Sequence, residues 1–464
     1  MSHAPSAKQN AQAAAVLINT IRFPFGTTLA LGVMALFAAA VVSSRAQGTN
    51  TNRPSGALSQ LDLIAREQRI KAEAYIRPTV TEQMGDTGGK YFGQIPDPAK
   101  TRHYYIAAED DQWDFLPTGS DPVCGMPLPP EVVLQHKVWK VRYFQYTDAT
   151  FTQRVPQASR LGILGPVLRG VVGEYLAVTF LNRARVGIYS MHPHGVKYDR
   201  DSEGSYHADQ LRLMGPRPTN APFTFQGRGA AVGYGGRFTY VWHLDEESGP
   251  LPSEPSSKAW LYHSHVSPQG DINKGLEGFI IVTDPKRARP DGTPNDVDRE
   301  MPALFMIYDE SGLNEEAQEQ LAASGDNEKW IHYQKVKEAG QRHGINGYVF
   351  GNLPGLEMNE GERVRWYLFG LGSENDLHTA HWHGLRVVED GSRRTDVVEL
   401  LPASMKTADM VADNPGEWLF HCHVEEHMAG GMFARVNVFA SGATNHFEAG
   451  RAPEKAFLGL TSPP

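Results

Sequence analysis

Short runs of β-branched and aromatic residues, separated by glycine, proline and aspartate, recur from about His103 onward. His103-Tyr-Tyr-Ile106, Val138 to Tyr146, Tyr175 to Leu181, Phe238 to Trp242 and Ala303 to Tyr308 are the clearest. Runs this short, interrupted this often, predict the strands of a sandwich or barrel and an all-β fold class. Two segments depart from the pattern. Leu58, Leu61 and Ile64 fall at helical spacing and predict a short helix within 58–76, and 314–340 has a helix-like composition that reads as an insertion. The polar stretch 286–299, with Pro290 and Pro294, predicts a boundary between two β units. The expected organisation is 1–46 as a targeting segment, 47–99 as linker and short helix, 100–290 as a first β domain and 300–445 as a second.

The targeting segment rests on Thr27 to Val42, an almost wholly apolar run preceded by Arg22 and followed by Ser44-Arg45-Ala46-Gln47. Basic, then apolar, then small is the order of a secretory signal. The run falls short of the roughly 20 residues of a bilayer span. A cleaved signal peptide and an uncleaved anchor both fit, and either expects an exported, periplasmic or extracellular protein.

The chain repeats itself. Gly173-Glu-Tyr-Leu-Ala-Val178 parallels Gly361-Glu-Arg-Val-Arg-Trp366, His192-Pro-His194-Gly195 parallels His381-Trp-His383-Gly384, and His263-Ser-His265-Val266 parallels His421-Cys-His423-Val424. Three matched pairs in one order imply two copies of one β fold. The third pair is closer in sequence than the others, which predicts extra loop in the first copy between Asp199 and Gly236.

Composition narrows the chemistry. Forty-four Lys and Arg against 53 Asp and Glu give a net charge of −9, which argues against nucleic acid as a partner. Two cysteines, Cys124 and Cys422, cannot build a disulfide framework. Eighteen histidines are many, and eight of them form four His-X-His triplets. Alternate residues of a strand share a face, so the two imidazoles of each triplet point the same way. Eight imidazoles presented in pairs exceed what one metal ion can use, and imidazole suits Cu, Zn, Fe and Ni. Cys422 faces opposite to His421 and His423. With His378, His427 and Met432 it completes two imidazoles, a thiolate and a thioether, the donor set of a blue-copper electron-transfer centre. The first copy has Ser264, Gln269 and Leu276 near the places of Cys422, His427 and Met432, so no such centre is expected there.

These residues resemble a multicopper oxidase, with the ceruloplasmin branch the nearest likeness. His103-Tyr-Tyr-Ile, Gln145-Tyr-Thr-Asp-Ala-Thr-Phe151, Leu164-Gly-Pro166, Asp271-Ile-Asn-Lys-Gly275 and Asn346-Gly-Tyr-Val-Phe-Gly-Asn352 extend the resemblance over roughly 100–440. It implies two cupredoxin-like Greek-key β-sandwiches and four coppers per chain. Type 1 copper takes His378, Cys422, His427 and Met432. Type 2 takes His192 and His381. The type 3 pair takes His194, His263, His265, His383, His421 and His423. Electrons entering at type 1 copper pass through Cys422 to His421 and His423, and O2 is reduced to water. With two domains in place of three or six, the chain resembles relatives that build the trinuclear cluster between subunits of a homotrimer; an intrachain cluster is the alternative.

Ceruloplasmin-type iron sites resemble a Glu and a His upstream plus an acid just before the type 1 His. Glu338, His343 and Glu426 match, so a ferroxidase acting on Fe(II) is expected, with a laccase-like phenol oxidase or a Mn(II) or Cu(I) oxidase as alternatives. A copper nitrite reductase leaves the paired histidines without a purpose, and a copper store calls for methionine clusters that the 13 methionines do not form. Cys124 is expected to be a buried, inert thiol. Asp199, Asp201, Glu203 and Asp209 are expected to form a solvated acidic loop, with a Ca²⁺ site as the alternative and Asp199 or Asp201 as a proton donor to the cluster.

Overall fold

The computed structural model describes residues 86, 88–205, 229–313 and 315–442. The targeting segment, the 58–76 helix, His207 and Asp209 lie outside the described residues. The first copy contains β1 (Thr101–Asp114), β2 (Lys137–Tyr146), β3 (Leu168–Val171), β4 (Tyr175–Asn182), β5 (His192–Pro193), β6 (Arg237–His243), β7 (Ser257–His263) and β8 (Glu277–Thr283). They form two four-stranded sheets, ordered β2-β1-β4-β6 and β3-β8-β7-β5. Ile106, Tyr143, Val178 and Tyr240 from one sheet meet Leu168, Tyr262, Ile280 and Val282 from the other in one apolar core.

The second copy contains β9 (Arg299–Asp309), β10 (Gln341–Ile345), β11 (Glu357–Asn359), β12 (Arg363–Gly370), β13 (His378–Trp382), β14 (Val387–Glu389), β15 (Arg393–Thr395), β16 (Val397–Leu400), β17 (Met405–Val411), β18 (Gly416–Cys422) and β19 (Phe433–Phe439). Its sheets run β10-β9-β12-β17-β14-β15 and β11-β19-β18-β13-β16. The repeat read from the sequence is a repeat of topology. The parallel pair β1/β4 recurs as β9/β12, the parallel pair β3/β8 as β11/β19, and the antiparallel pair β5/β7 as β13/β18. Each copy is a cupredoxin-like Greek-key β-sandwich, and the fold is mostly β.

Among the described residues five α-helices decorate this frame: α1 (Pro130–Leu134), α2 (Pro268–Lys274), α3 (Glu315–Ser324), α4 (Asn327–Gly340) and α5 (Glu425–Ala429). The insertion expected at 314–340 supplies α3 and α4; Asp326 caps α4 by accepting the Lys329 N–H at 3.1 Å. Among the described residues no helix is long and apolar enough to cross a membrane.

The two sandwiches meet through a third apolar cluster. Ala259, Leu261, Phe279 and Ile281 on the outer face of β7 and β8 pack on Leu304, Met306, Tyr308, Tyr367 and Phe369 of β9 and β12. The Phe279 and Phe369 rings stack at 4.0 Å. Polar pairs cross the same seam: Arg169 with Glu300 at 2.8 Å, and Lys140 with Glu310 where both are almost wholly buried.

Candidate metal centres

Antiparallel pairing of β13 with β18 sets Ala380 opposite Cys422 and His381 opposite His421. Strand alternation then sorts the side chains. His378, Ala380 and Trp382 are buried on one face of β13, and Phe420 and Cys422 join the same core from β18. His381, His383, His421 and His423 fall on the opposite side. After β18, α5 carries His427, and Gly431 at φ +106° turns the chain back so that Met432 reaches the core. The Met432 carbonyl accepts the Cys422 N–H, and the Met432 N–H donates to the His427 carbonyl, both at 3.0 Å.

This brings Cys422, His378 and His427 together. Sγ lies 3.9 Å from Nδ1 of His378 and 3.6 Å from Nδ1 of His427, and the two Nδ1 atoms are 3.1 Å apart. Cys422 and Met432 are fully buried in the same core. Burial by itself raises a thiol's pKa, but the neighbouring His378 and His427 imidazoles and backbone N–H groups outweigh it and bring Cys422 down to about 6. A thiol that ionises this readily is already close to its metal-binding form. Behind His378 stands Asp376, whose carboxylate meets Nε2 at 3.2 Å. The sequence reading missed it; its one signal is an acid two places before a ligand candidate.

The triplet histidines form two quartets. In the first sandwich His192 pairs with His263 across β5 and β7, and the rings of His192, His194, His263 and His265 lie 4.9–5.5 Å apart. In the second, the rings of His381, His383, His421 and His423 lie 5.1–5.5 Å apart. Among the described residues no ring contact joins one quartet to the other. Backbone carbonyls orient both sets. Nδ1 of His192 donates to Glu203, His263 to Ser264, His381 to Asp396 and His421 to Cys422, at 2.6–2.9 Å. A carbonyl can only accept, so each Nε2 carries a bare lone pair. Nε2 of His194 and His263 face each other at 3.1 Å, as do Nε2 of His383 and His421. Burial, aided by neighbouring imidazoles, holds His194 and His421 at about 4 and His263 at about 3. The bare Nε2 atoms of His192, His263, His381 and His421 thus sit among convergent imidazoles, the kind of donor set that Cu or another imidazole-binding metal requires.

The predicted iron ligands are only partly gathered. His343, on β10, packs on His427 at 5.3 Å between ring centroids, and its Nδ1 is buried without a hydrogen bond. Glu426 is exposed on α5 beside His427. Glu338 is exposed on α4, and among the described residues no contact joins its carboxylate to His343 or Glu426. Two smaller expectations change. Cys124 is exposed, not buried, because Asp121 holds its backbone in a surface turn at 3.0 Å. Asp199 directs its carboxylate to the backbone N–H groups of Phe92, Asp201 and Ser202, so it braces a turn and is poorly placed as a proton donor or Ca²⁺ ligand.

Two sandwiches, one thiolate–imidazole centre and two histidine quartets define the multicopper oxidase class. Residues 316–441 match the family model described as Multicopper oxidase, so the chain carries a domain of that family, and over its two sandwiches it is similar to ceruloplasmin-like proteins. It is 35% identical over 357 residues to Ferroxidase HEPHL1 of Homo sapiens, covering 73% of this chain and 29% of that protein. It is 37% identical over 366 residues to human Hephaestin, covering 74% and 30%. Human Coagulation factor V is 35% identical over 341 residues, covering 71% and 14%. The chain therefore spans less than a third of the length of these relatives, and identity over the sandwiches does not by itself select an activity. In fold it resembles a solved multicopper oxidase (TM-score 0.46, 20% identity, 77% of this chain and 93% of that one). It also resembles the copper nitrite reductase from Nitrosomonas europaea (TM-score 0.47, 18% identity, 74% and 95%). Likeness at that level distinguishes no function.

Proposed function

We propose that the protein is a multicopper ferroxidase built from two domains, 100–290 and 300–445, and exported by its N-terminal segment. His378, Cys422, His427 and Met432 hold type 1 copper; His192 and His381 hold type 2; His194, His263, His265, His383, His421 and His423 hold the type 3 pair, making four coppers per chain. Bound at these positions, copper would supply the one-electron chemistry that couples oxidation of a reductant, most simply Fe(II), to four-electron reduction of O2 to water. The observation that carries the reading is the placement of Cys422: its thiol lies between two imidazole nitrogens while its carbonyl binds His421 at 2.7 Å. One residue thus links the two centres by a through-bond path. The His378 side chain is wholly enclosed, with Asp376 behind it, so a reductant is met on the His427 side. There the exposed carboxylate of Glu426, with His343 and Glu338, supplies hard oxygen and imidazole donors that favour Fe(III) over Fe(II).

We propose assembly as a homotrimer with interfacial clusters, a reading supported by the exposure of the second histidine quartet. The outer face of β7 and β8 is covered by β9 and β12 of the same chain. The equivalent face of β18 and β19 carries exposed Glu417 with half-buried Leu419 and Arg435, and His383 and His423 beside it are exposed. On the first sandwich, Ala107 and Leu181 are register partners as Leu304 and Phe369 are, and they sit in a satellite cluster with Tyr146 and Phe151. A second copy repeating the intrachain contact covers both faces, and a closed head-to-tail arrangement makes a ring.

The test is steady-state O2 uptake by copper-loaded protein with Fe(II), Mn(II), Cu(I) and a bulky phenol. Fe(II) is expected to be the best reductant, at four electrons per O2, and Glu338→Ala with Glu426→Ala is expected to lower the Fe(II) rate at least tenfold while sparing phenol. An unchanged Fe(II) rate in that variant, with phenol turnover persisting, selects the laccase-like alternative. No O2 uptake with any reductant removes the oxidase reading.

A further inference from the structure

Asp376 is almost wholly buried, yet its carboxylate lacks no partner. Oδ1 accepts the Ile307 N–H of β9 at 2.7 Å and meets Nε2 of His378 at 3.2 Å. Oδ2 accepts the Ser373 N–H at 2.7 Å and the Ser373 hydroxyl at 3.3 Å. The preceding turn is shaped to the acid. Gly372 has φ +120°, and a Cβ there falls 2.1 Å from Oδ2. The acceptor is held from two elements, β9 and the 372–376 turn, so it is fixed before any metal arrives.

A carboxylate can only accept, so it selects the His378 form that carries hydrogen on Nε2. That leaves Nδ1, the atom facing Cys422 and His427, free to bind. The carboxylate also sets a negative charge one imidazole away from the thiolate centre. A nearby fixed charge favours the more positive of two metal states, and low-dielectric surroundings enlarge the effect.

The repeat supplies an internal comparison. In the first sandwich Tyr189 stands in the place of His378 and Gly187 in the place of Asp376. A Cβ on Gly187 falls 2.4 Å from the Tyr189 hydroxyl oxygen, and that hydroxyl donates to the Val186 carbonyl at 2.8 Å. The loop there is secured by Asn182, which donates to the Gly187 and Val232 carbonyls. The same topology is therefore closed without a buried acid where no imidazole has to be oriented. The carboxylate accompanies the ligand, not the loop.

We infer that Asp376 is a positioning residue for the Cys422 centre: it fixes the His378 tautomer and orientation, and its charge lowers the reduction potential of the metal bound there. The inference rests on the reading of that centre as a type 1 copper site.

The experiment measures three things on the full-length protein carrying Asp376→Asn, Asp376→Glu or the natural residue. They are the red absorption of the copper-loaded form, the potential from a redox titration of that band, and the thermal midpoint of the copper-free form. Asparagine is expected to keep the band and to raise the potential, by 59 mV for each tenfold change in the equilibrium between the two copper states, with about a tenfold change expected for a lost carboxylate–histidine partner. Glutamate restores the charge and is expected to return the potential toward that of the natural protein even where the turn is disturbed. Nitrogen-15 shifts of copper-free protein are expected to report the Nε2–H form of His378 only while an acid is present. If both variants lower the thermal midpoint and neither moves the potential or the tautomer, Asp376 is a loop brace and the inference is overturned. Should Asp376→Asn not fold, the glutamate potential decides: a value equal to that of the natural protein with an altered tautomer keeps the charge effect and removes the orienting one, and an unchanged tautomer with a shifted potential does the reverse. Absence of a red band in the natural protein removes the type 1 reading itself, a separate failure.

Discussion

Cys422 works in two directions because a residue on a strand has a side chain across the sheet and a carbonyl along it. Its thiol enters the core of the second sandwich while its carbonyl holds His421. The first copy has Ser264 at this place, with the same backbone bond, Ser264 N–H to the Leu276 carbonyl at 3.0 Å. Cys422→Ser is therefore expected to fold, to lose the red absorption, and to bind one copper fewer per chain by elemental analysis. The imidazoles predict a pH dependence. His194, His263 and His421 have folded-state values of about 4, 3 and 4, against about 6.5 when unfolded. A base with a depressed folded value contributes fully above its unfolded value and loses that contribution as pH falls through the gap. The copper-free protein is expected to lose thermal stability as pH falls from about 6.5 to about 4. Replacing His263 by Gln is expected to make that slope shallower in a differential scanning series. The residue types of both centres were legible in the sequence, since His-X-His and the Cys–His–Met ending are local patterns. Asp376 was not, because its partners, Ile307 and His378, come from separate strands.

At the scale of elements, the glycine that ends the first triplet of each copy has a structural reason. Gly195 and Gly384 sit at φ +66° and +68°. A Cβ at Gly195 falls 2.0 Å from the Trp260 ring, and one at Gly384 falls 2.9 Å from Trp418. Gly195→Ala forces a left-handed backbone on a side-chain-bearing residue, at a cost of about 1–3 kcal/mol before the tryptophan moves. The check is a lower urea midpoint at unchanged slope, and looser metal binding by the first quartet. Strand positions in the chain were readable because alternation and turn residues act over a few positions. The 314–340 helices were readable for the same reason. Glu338 shows the limit: it lies five residues from His343, but the end of α4 leaves its side chain on an exposed face, and no local rule sets the angle at which a helix hands over to a strand.

For the whole molecule, stability and metal assembly depend on seams between sandwiches. Lys140 on β2 and Glu310 just beyond β9 form a buried ion pair across one of them. Removing one partner leaves the other charge buried alone, so Lys140→Met is expected to cost about 3–5 kcal/mol, measured as a fall in the denaturant midpoint, with Glu310→Gln in the same chain recovering part of it. In the proposed homotrimer a second seam joins copies. Glu417→Trp, exposed on the outer face of β18, is expected to convert the proposed three-chain species to a single chain in sedimentation experiments. Copper content is expected to fall from four per chain to about one, the remaining ion being that of Cys422. A single chain that retains all four places the cluster within the chain.

By itself the sequence determined the strand-rich copies, their duplication and the chemical identity of the donors, because these depend on residue type and short periodicities. The tertiary structure decided which donors converge: Cys422 with His378 and His427, four histidines in each sandwich, and Asp376 behind one imidazole. Convergence depends on strand register and on sandwich-to-sandwich packing, and those are settled by contacts between residues tens to hundreds of positions apart.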